Sequence, residues 1–292
     1  MKNIIVLFSL FLFISCKKEE KRVENLQADK ILDEKYQNLY GNWVGDFIVL
    51  EADSLVDESD YVYNNKLNLI IKKIDNNKAF GQSVVAGNSR PLSGIFSEKN
   101  GEYSFILYEP GKNNDDGKFT FKIINDTIKG IWIANDKKNK VLSRKFVLTK
   151  QAFKYNPNLM LPEDTEYVDW YSEKLDTLKE VIDDEEVTYF EETYRTASDV
   201  ITKLNASTTL LKEEDIKNLK KLELEIIRNT IFARHGYSFK KKSFRQFFDP
   251  VDWYIPVTDD ISRELTSIEQ KNIVLLNRFQ KYAEDNYDSF GR

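Results

Sequence analysis

Gly41-Asn42-Trp43-Val44-Gly45-Asp46-Phe47-Ile48-Val49 decides how the first half of the chain is read. Trp43, Gly45, Phe47 and Val49 fall on alternate positions, the period of a strand that turns one face to a core. Leu67, Leu69 and Ile71 repeat the alternation, and further runs of this kind lie at 79–85, 92–97, 103–108, 119–124, 128–134 and 142–148. Between the runs stand Asp75-Asn76-Asn77, Lys99-Asn100-Gly101, Asp115-Asp116-Gly117, Asn125-Asp126 and Asn135-Asp136, residue types suited to tight turns. Eight short antiparallel strands within residues 36–153 predict a closed up-and-down barrel, since closure removes exposed strand edges. The inward aromatic residues Phe105, Phe119, Phe121 and Trp132 either fill such a barrel or line a pocket for one small apolar ligand.

Upstream, Met1-Lys2-Asn3 gives a positive start, Ile4 to Ile14 is an apolar run short for a membrane span, and Ser15-Cys16 follows. That is the layout of a secretory signal over residues 1–15. The polar run 16–35, beginning Lys17-Lys18-Glu19-Glu20, reads as a charged tether.

Composition narrows the classes. The chain has 292 residues, of which 41% are hydrophobic and 13% aromatic, enough for a core in each of two domains. Its net charge of -5 makes nucleic acid an unsuitable partner. The charge is unevenly spread: fourteen acidic residues lie between Glu163 and Asp199, and five basic residues with no acid between Arg234 and Arg245. A single cysteine and a single histidine cannot assemble the usual zinc cage, so neither a metal nor a cofactor is expected.

Asn156-Pro157 and Leu161-Pro162 punctuate the end of the barrel. Residues 154–200 form an acidic linker in which 166–175 and 185–196 alternate as the arms of a hairpin would. Residues 201–292 then read as a small, mainly helical unit. Leu224, Ile227 and Ile231 share one face of a helix over 222–235, ended by Gly236. A short aromatic helix at 243–248 stops at Asp249-Pro250. Thr266-Ser267-Ile268-Glu269 is a capping box that opens a last helix to about residue 284, whose stripe is expected to be Ile268, Asn272, Leu275, Phe279 and Tyr282. The fold class is therefore α+β, an antiparallel eight-stranded barrel followed by a helical domain.

Three stretches resemble known families. Phe232-Ala233-Arg234-His235-Gly236, with Arg228-Asn229 before it and Trp253-Tyr254, Glu269 and Asn272-Ile273 after it, resembles the YARHG domain, with Phe where that family usually has Tyr. The resemblance covers the C-terminal third and implies an extracytoplasmic bacterial module without an assigned reaction. Ser15-Cys16 resembles a lipobox, with Phe13 where Leu is commoner. That implies cleavage before Cys16 and its acylation, with more than one lipid chain holding the protein to a membrane of the cell envelope, outer-membrane, periplasmic or surface-facing. Gly41-Asn42-Trp43 resembles the Gly-x-Trp of lipocalin-like proteins, which implies that Arg144 on the last strand stacks on Trp43.

The polar set expected to converge is Asn229, Arg234, His235, Tyr254 and Glu269. As a binding site, Trp253 and Tyr254 would stack on a sugar or peptide and Arg234 would hold an anion. As a catalytic site, His235 would be a base oriented by Glu269. As structure, the same residues would be a folded-in hydrogen-bond network, Glu269 either capping its helix or pairing with Arg234. Three functional readings follow: an envelope lipoprotein that contacts peptidoglycan or another envelope glycan, a lipocalin-like carrier of a small apolar ligand, and an envelope hydrolase using His235 and Glu269.

Overall fold

The computed structural model describes residues 35–111, 115–182, 185–287 and 290. The signal segment, Cys16 and the tether lie outside these residues. Strands β1 (Gly41–Ala52), β2 (Asn64–Asp75), β3 (Lys78–Val85), β4 (Asn88–Lys99), β5 (Glu102–Tyr108), β6 (Gly117–Ile124), β7 (Thr127–Ala134) and β8 (Val141–Gln151) close into an antiparallel barrel. The strands that alternation predicts are all present, because each inward set finds an aromatic or branched partner across the barrel. Phe105 stacks on Phe121 with centroids 4.7 Å apart, and Phe119 meets Phe146 edge-on at 5.7 Å.

The two ends of the barrel differ. At one end the turns are tight: Asn76, Asn100, Asn125 and Asp126 take positive φ, as a right-twisted hairpin requires. A 3-10 turn, Gln37–Leu39, plugs this end, and the Trp43 indole N–H donates to the Leu39 carbonyl at 2.9 Å. The expected Arg144–Trp43 stack is absent. Register pairs Trp43 with Lys150 and Val49 with Arg144, so Lys150 lies over the Trp43 ring at 5.7 Å while Arg144 lies over Phe47 at 5.2 Å. At the other end the connections 53–63, 109–116 and 135–140 are long, and the barrel has a mouth.

Beyond the barrel, β9 (Tyr167–Ile182) and β10 (Glu185–Ala197) pair antiparallel as a long two-stranded ribbon. Its base is tied down by Arg195, which bridges Asp169 at 2.5 Å and Glu225 at 3.4 Å. Five helices follow: α1 (Val200–Lys203), α2 (Glu213–Ile216), α3 (Lys221–Arg234), α4 (Lys242–Phe248) and α5 (Ser267–Asn286). Helices α3 and α5 pack together over a core that includes Phe239, Phe247, Phe248 and Tyr254. The buried residues of α5 are Glu269, Asn272, Leu276, Gln280 and Ala283, a stripe rotated from the apolar one read in the sequence. Tyr282 faces solvent. The helix turns polar residues inward because each finds hydrogen-bond partners there: the Asn272 amide donates to Ala206 and Thr209 carbonyls at 2.7 Å and accepts from the Leu211 N–H at 2.9 Å.

Barrel and helical unit dock directly. The Lys66 ammonium donates to the Val251 carbonyl at 2.5 Å, the Lys66 N–H donates to Asp249 at 3.1 Å, and the Asn68 amide donates to the Pro256 carbonyl at 2.9 Å. The β3–β4 turn, with Ala86 and Gly87 both at positive φ, presses on the segment before α4. A Cβ on Gly87 would lie 2.7 Å from the Lys240 Cα, and the Gly87 N–H donates to the Ser238 hydroxyl at 2.9 Å. Only glycine allows both the backbone angle and that approach.

Candidate functional site

Helix α3 ends in a Schellman motif: the Tyr237 N–H donates to Phe232 and the Gly236 N–H to Ala233, with Gly236 at φ +71°. This turn sends Arg234 and His235 to different partners inside the domain. The Arg234 guanidinium is 2% exposed and donates to the Leu159 carbonyl at 2.7 Å, the Ser207 hydroxyl at 3.0 Å and the Met160 sulfur at 3.3 Å. Burial pulls its pKa down to about 10. Its donors hold the chain's own residues, so Arg234 does not present an open anion anchor, and it does not pair with Glu269.

His235 does. Its Nε2 lies 2.9 Å from Glu269 Oε2, and as an ionised carboxylate only accepts, the ring donates from that nitrogen. The Tyr155 ring stacks on the imidazole at 4.2 Å, and its hydroxyl donates to Glu269 Oε1 at 3.0 Å. Glu269 also completes the capping box of α5, accepting from the Thr266 N–H at 2.9 Å. It therefore both caps and pairs, with His235 in the place foreseen for Arg234. Burial raises the Glu269 pKa, but hydrogen bonds from His235, the Ser207 hydroxyl and the Thr266 N–H outweigh it and hold the carboxyl at about 2. The Ser207 hydroxyl is bonded to Arg234 in the same network. Arg234, His235 and Glu269 with Tyr155 and Ser207 thus fasten four segments, 155–160, the turn around Ser207, the end of α3 and the start of α5. A base at His235 would need an open path to its ring, and the side chain is 4% exposed.

The remaining expected residues lie apart. Tyr254 is buried in the aromatic core and donates to the Tyr237 carbonyl at 2.7 Å, so it forms no exposed stacking platform with Trp253. Trp253 instead closes over the linker, its indole N–H donating to the Met160 carbonyl at 2.8 Å. Asn229 is buried on another face, where its amide nitrogen has no protein partner and it lines an open groove of about 490 Å³ with Phe232 and Tyr237.

The cavity best formed for a ligand involves none of these. At the barrel mouth a space of about 420 Å³ opens between the long loops and α4, within the range of small-molecule sites. Its floor is Phe47, Phe119 and Trp132, below which Glu109 accepts from the Trp132 indole at 3.1 Å, the Ser83 hydroxyl at 2.9 Å and the Gly117 N–H at 2.7 Å. Its walls carry Arg90, Arg144 and Lys140 from the barrel, and α4 adds Lys242 and Arg245. The sequence marks Phe119 and Trp132 as core or pocket but does not assemble this site, because its lining is drawn from seven strands, four connections and a helix of the other domain. The signals available were the inward aromatics Phe119 and Trp132 and the basic run that continues into α4 with Lys242 and Arg245.

Comparison with known proteins bears on the C-terminal part. The model of the YARHG domain matches residues 198–281, while no curated protein and no solved structure matches the chain. YARHG domains are typically extracytoplasmic, consistent with an envelope location. The Arg-His-Gly turn, its Glu269 partner, all of α3 and α5 up to residue 281 fall inside the matched stretch, and residues 198–281 of this chain are a YARHG domain.

Proposed function

We propose that this protein is a lipid-anchored binding protein of the bacterial envelope, acylated at Cys16, in which barrel and YARHG domain together present one ligand site. The observation that carries the reading is the barrel-mouth cavity, walled by both units. The YARHG match supports the extracytoplasmic address, and the Ser15-Cys16 pattern supports the anchor. The hydrolase reading has little geometric support, with the His235 ring covered by Tyr155 and engaged by Glu269. A carrier of a wholly apolar ligand is disfavoured by the cationic walls and by the aromatic filling of the barrel below the mouth. Peptidoglycan is the first envelope component to test, since an anchored protein reaches it from the membrane.

The test has two arms. Fractionation of cells expressing the full chain should place it in the membrane, and Cys16→Ala should release it. The purified full chain should co-sediment with insoluble peptidoglycan. Membrane association that survives Cys16→Ala would remove the anchor from the reading, and absence of co-sedimentation would remove peptidoglycan.

A further inference from the structure

Resting on that reading of the mouth as a ligand site, the geometry points to a small organic anion as its ligand, its acidic group held by Arg144 and Arg245 and its apolar body laid on Phe119 and Trp132. The first support is charge. The cavity lining holds six cations, Arg90, Lys138, Lys140, Arg144, Lys242 and Arg245, against the two carboxylates of Glu109 and Asp115. Two of the cations are neutralised elsewhere, Arg90 by Asp116 at 2.8 Å and Lys140 by Asp60 at 3.3 Å.

Neither Arg144 nor Arg245 forms a direct ion pair among the described residues, although the nearby Asp249 carboxylate partly compensates Arg245 and none does so for Arg144. Arg144 is 7% exposed and donates to three carbonyl oxygens, those of Phe47, Val62 and Tyr63. Arg245 is 8% exposed and donates to the Lys240 carbonyl, and its Nε has no hydrogen-bond partner among the described residues. Carbonyl dipoles satisfy donors without cancelling charge, and two buried guanidinium groups lining one cavity repel. Burial first, and then the charge of Arg245, pushes the Arg144 pKa down to about 10. An acidic group placed between them would remove that repulsion.

The second support is the unpaired acceptor. Asn65, also lining the cavity and 6% exposed, has a side-chain oxygen with no donor among the described residues. Buried polar atoms are nearly always satisfied, so a ligand hydroxyl or amide is the partner this position calls for. The third support is the apolar floor, where Trp132, 7% exposed, and the edge of the buried Phe119 line the cavity with carbon surface that bare inorganic anions would leave uncovered.

Titration calorimetry on the purified full chain tests the inference with three probes: phenylbutyrate, the neutral phenylbutanol, and inorganic phosphate. Phenylbutyrate should bind one to one, and phenylbutanol about tenfold or more weaker, the usual loss for a missing charged hydrogen bond. Arg245→Met should weaken phenylbutyrate by a similar factor at unchanged melting temperature. Lys242→Met at the half-buried rim, where the ammonium donates to the Ser59 and Asp60 carbonyls, should weaken it about two- to fivefold, with the melting temperature measured on the same sample. Phenylbutanol binding as tightly as the acid, no binding of the acid, or indifference to both substitutions would overturn the inference. Phosphate binding as tightly as phenylbutyrate would overturn its apolar half. Envelope association with no probe bound would sink this inference alone, whereas probe binding by a protein that does not reach the envelope would sink only the address.

Discussion

The barrel and the YARHG domain solve the same packing problem with different chemistry. The barrel core is apolar and aromatic, built from residues such as Leu67, Leu69, Phe105 and Phe121, with its buried polar groups gathered near the mouth and the docking face. The YARHG core buries Glu223, Arg234, His235, Glu269, Asn272 and Gln280 among its hydrophobics. An apolar core asks only for volume and alternation, so many sequences fill it. A hydrogen-bonded core demands particular partners at particular places, which is why a short motif such as Arg234-His235-Gly236 can mark the YARHG domain while the equally short Gly41-Asn42-Trp43 only suggests a barrel family.

That contrast can be broken or sharpened by substitution. Glu269→Ala removes the cap of α5 and leaves His235 and Tyr155 without their acceptor, and should cost about 3–5 kcal/mol in urea denaturation followed by circular dichroism. A loss below about 1 kcal/mol would mean that the network is ornamental and the comparison is false.

Acid titrates the same bond. The Glu269 carboxyl is held at about 2 in the folded protein, below its ordinary 4.5, so ionised Glu269 favours the folded state above the ordinary value. That contribution, about 3 kcal/mol, should fade as pH falls from about 5 towards 2. Stability curves measured across that range should be steeper for the wild type than for Glu269→Gln; parallel curves would assign the acid sensitivity elsewhere.

The sharpest form of the comparison uses two near-isosteric changes. Asn272→Leu strands the Leu211 N–H and the Ala206 and Thr209 carbonyls, and should cost about 2–3 kcal/mol. Phe105→Leu in the barrel should cost about 1 kcal/mol, since the neighbouring rings can partly close on it. Equal losses would erase the distinction between the cores. The smallest effect is expected at the junction, where Lys66→Met removes the bond to Val251 and should cost about 1 kcal/mol. Its signature is separate unfolding transitions of barrel and YARHG domain by tryptophan fluorescence and circular dichroism, where the wild type shows one.

Much of this architecture was legible before any coordinates. Alternation and turn chemistry determined the eight strands, because burial of one face imposes a period of two whatever the neighbours are. The capping box at Thr266 and the left-handed stop at Gly236 are local hydrogen-bond problems with local solutions, and both stand where the residues put them. The pairing of His235 with Glu269 was within reach for the same reason, as both sit at helix ends. What tertiary structure alone decided are the contacts made across distance in the chain. The buried stripe of α5 follows hydrogen-bond partners supplied by residues 206–211, which hydrophobicity cannot register. Arg144 lies on Phe47 because strand register, not the presence of a tryptophan, sets its neighbour. Tyr155 joins His235, Gly87 meets Lys240 and Arg245 meets the barrel mouth only once two separately patterned units are pressed together. A sequence carries its periodicities along the chain, but a site shared by two domains has no period to carry.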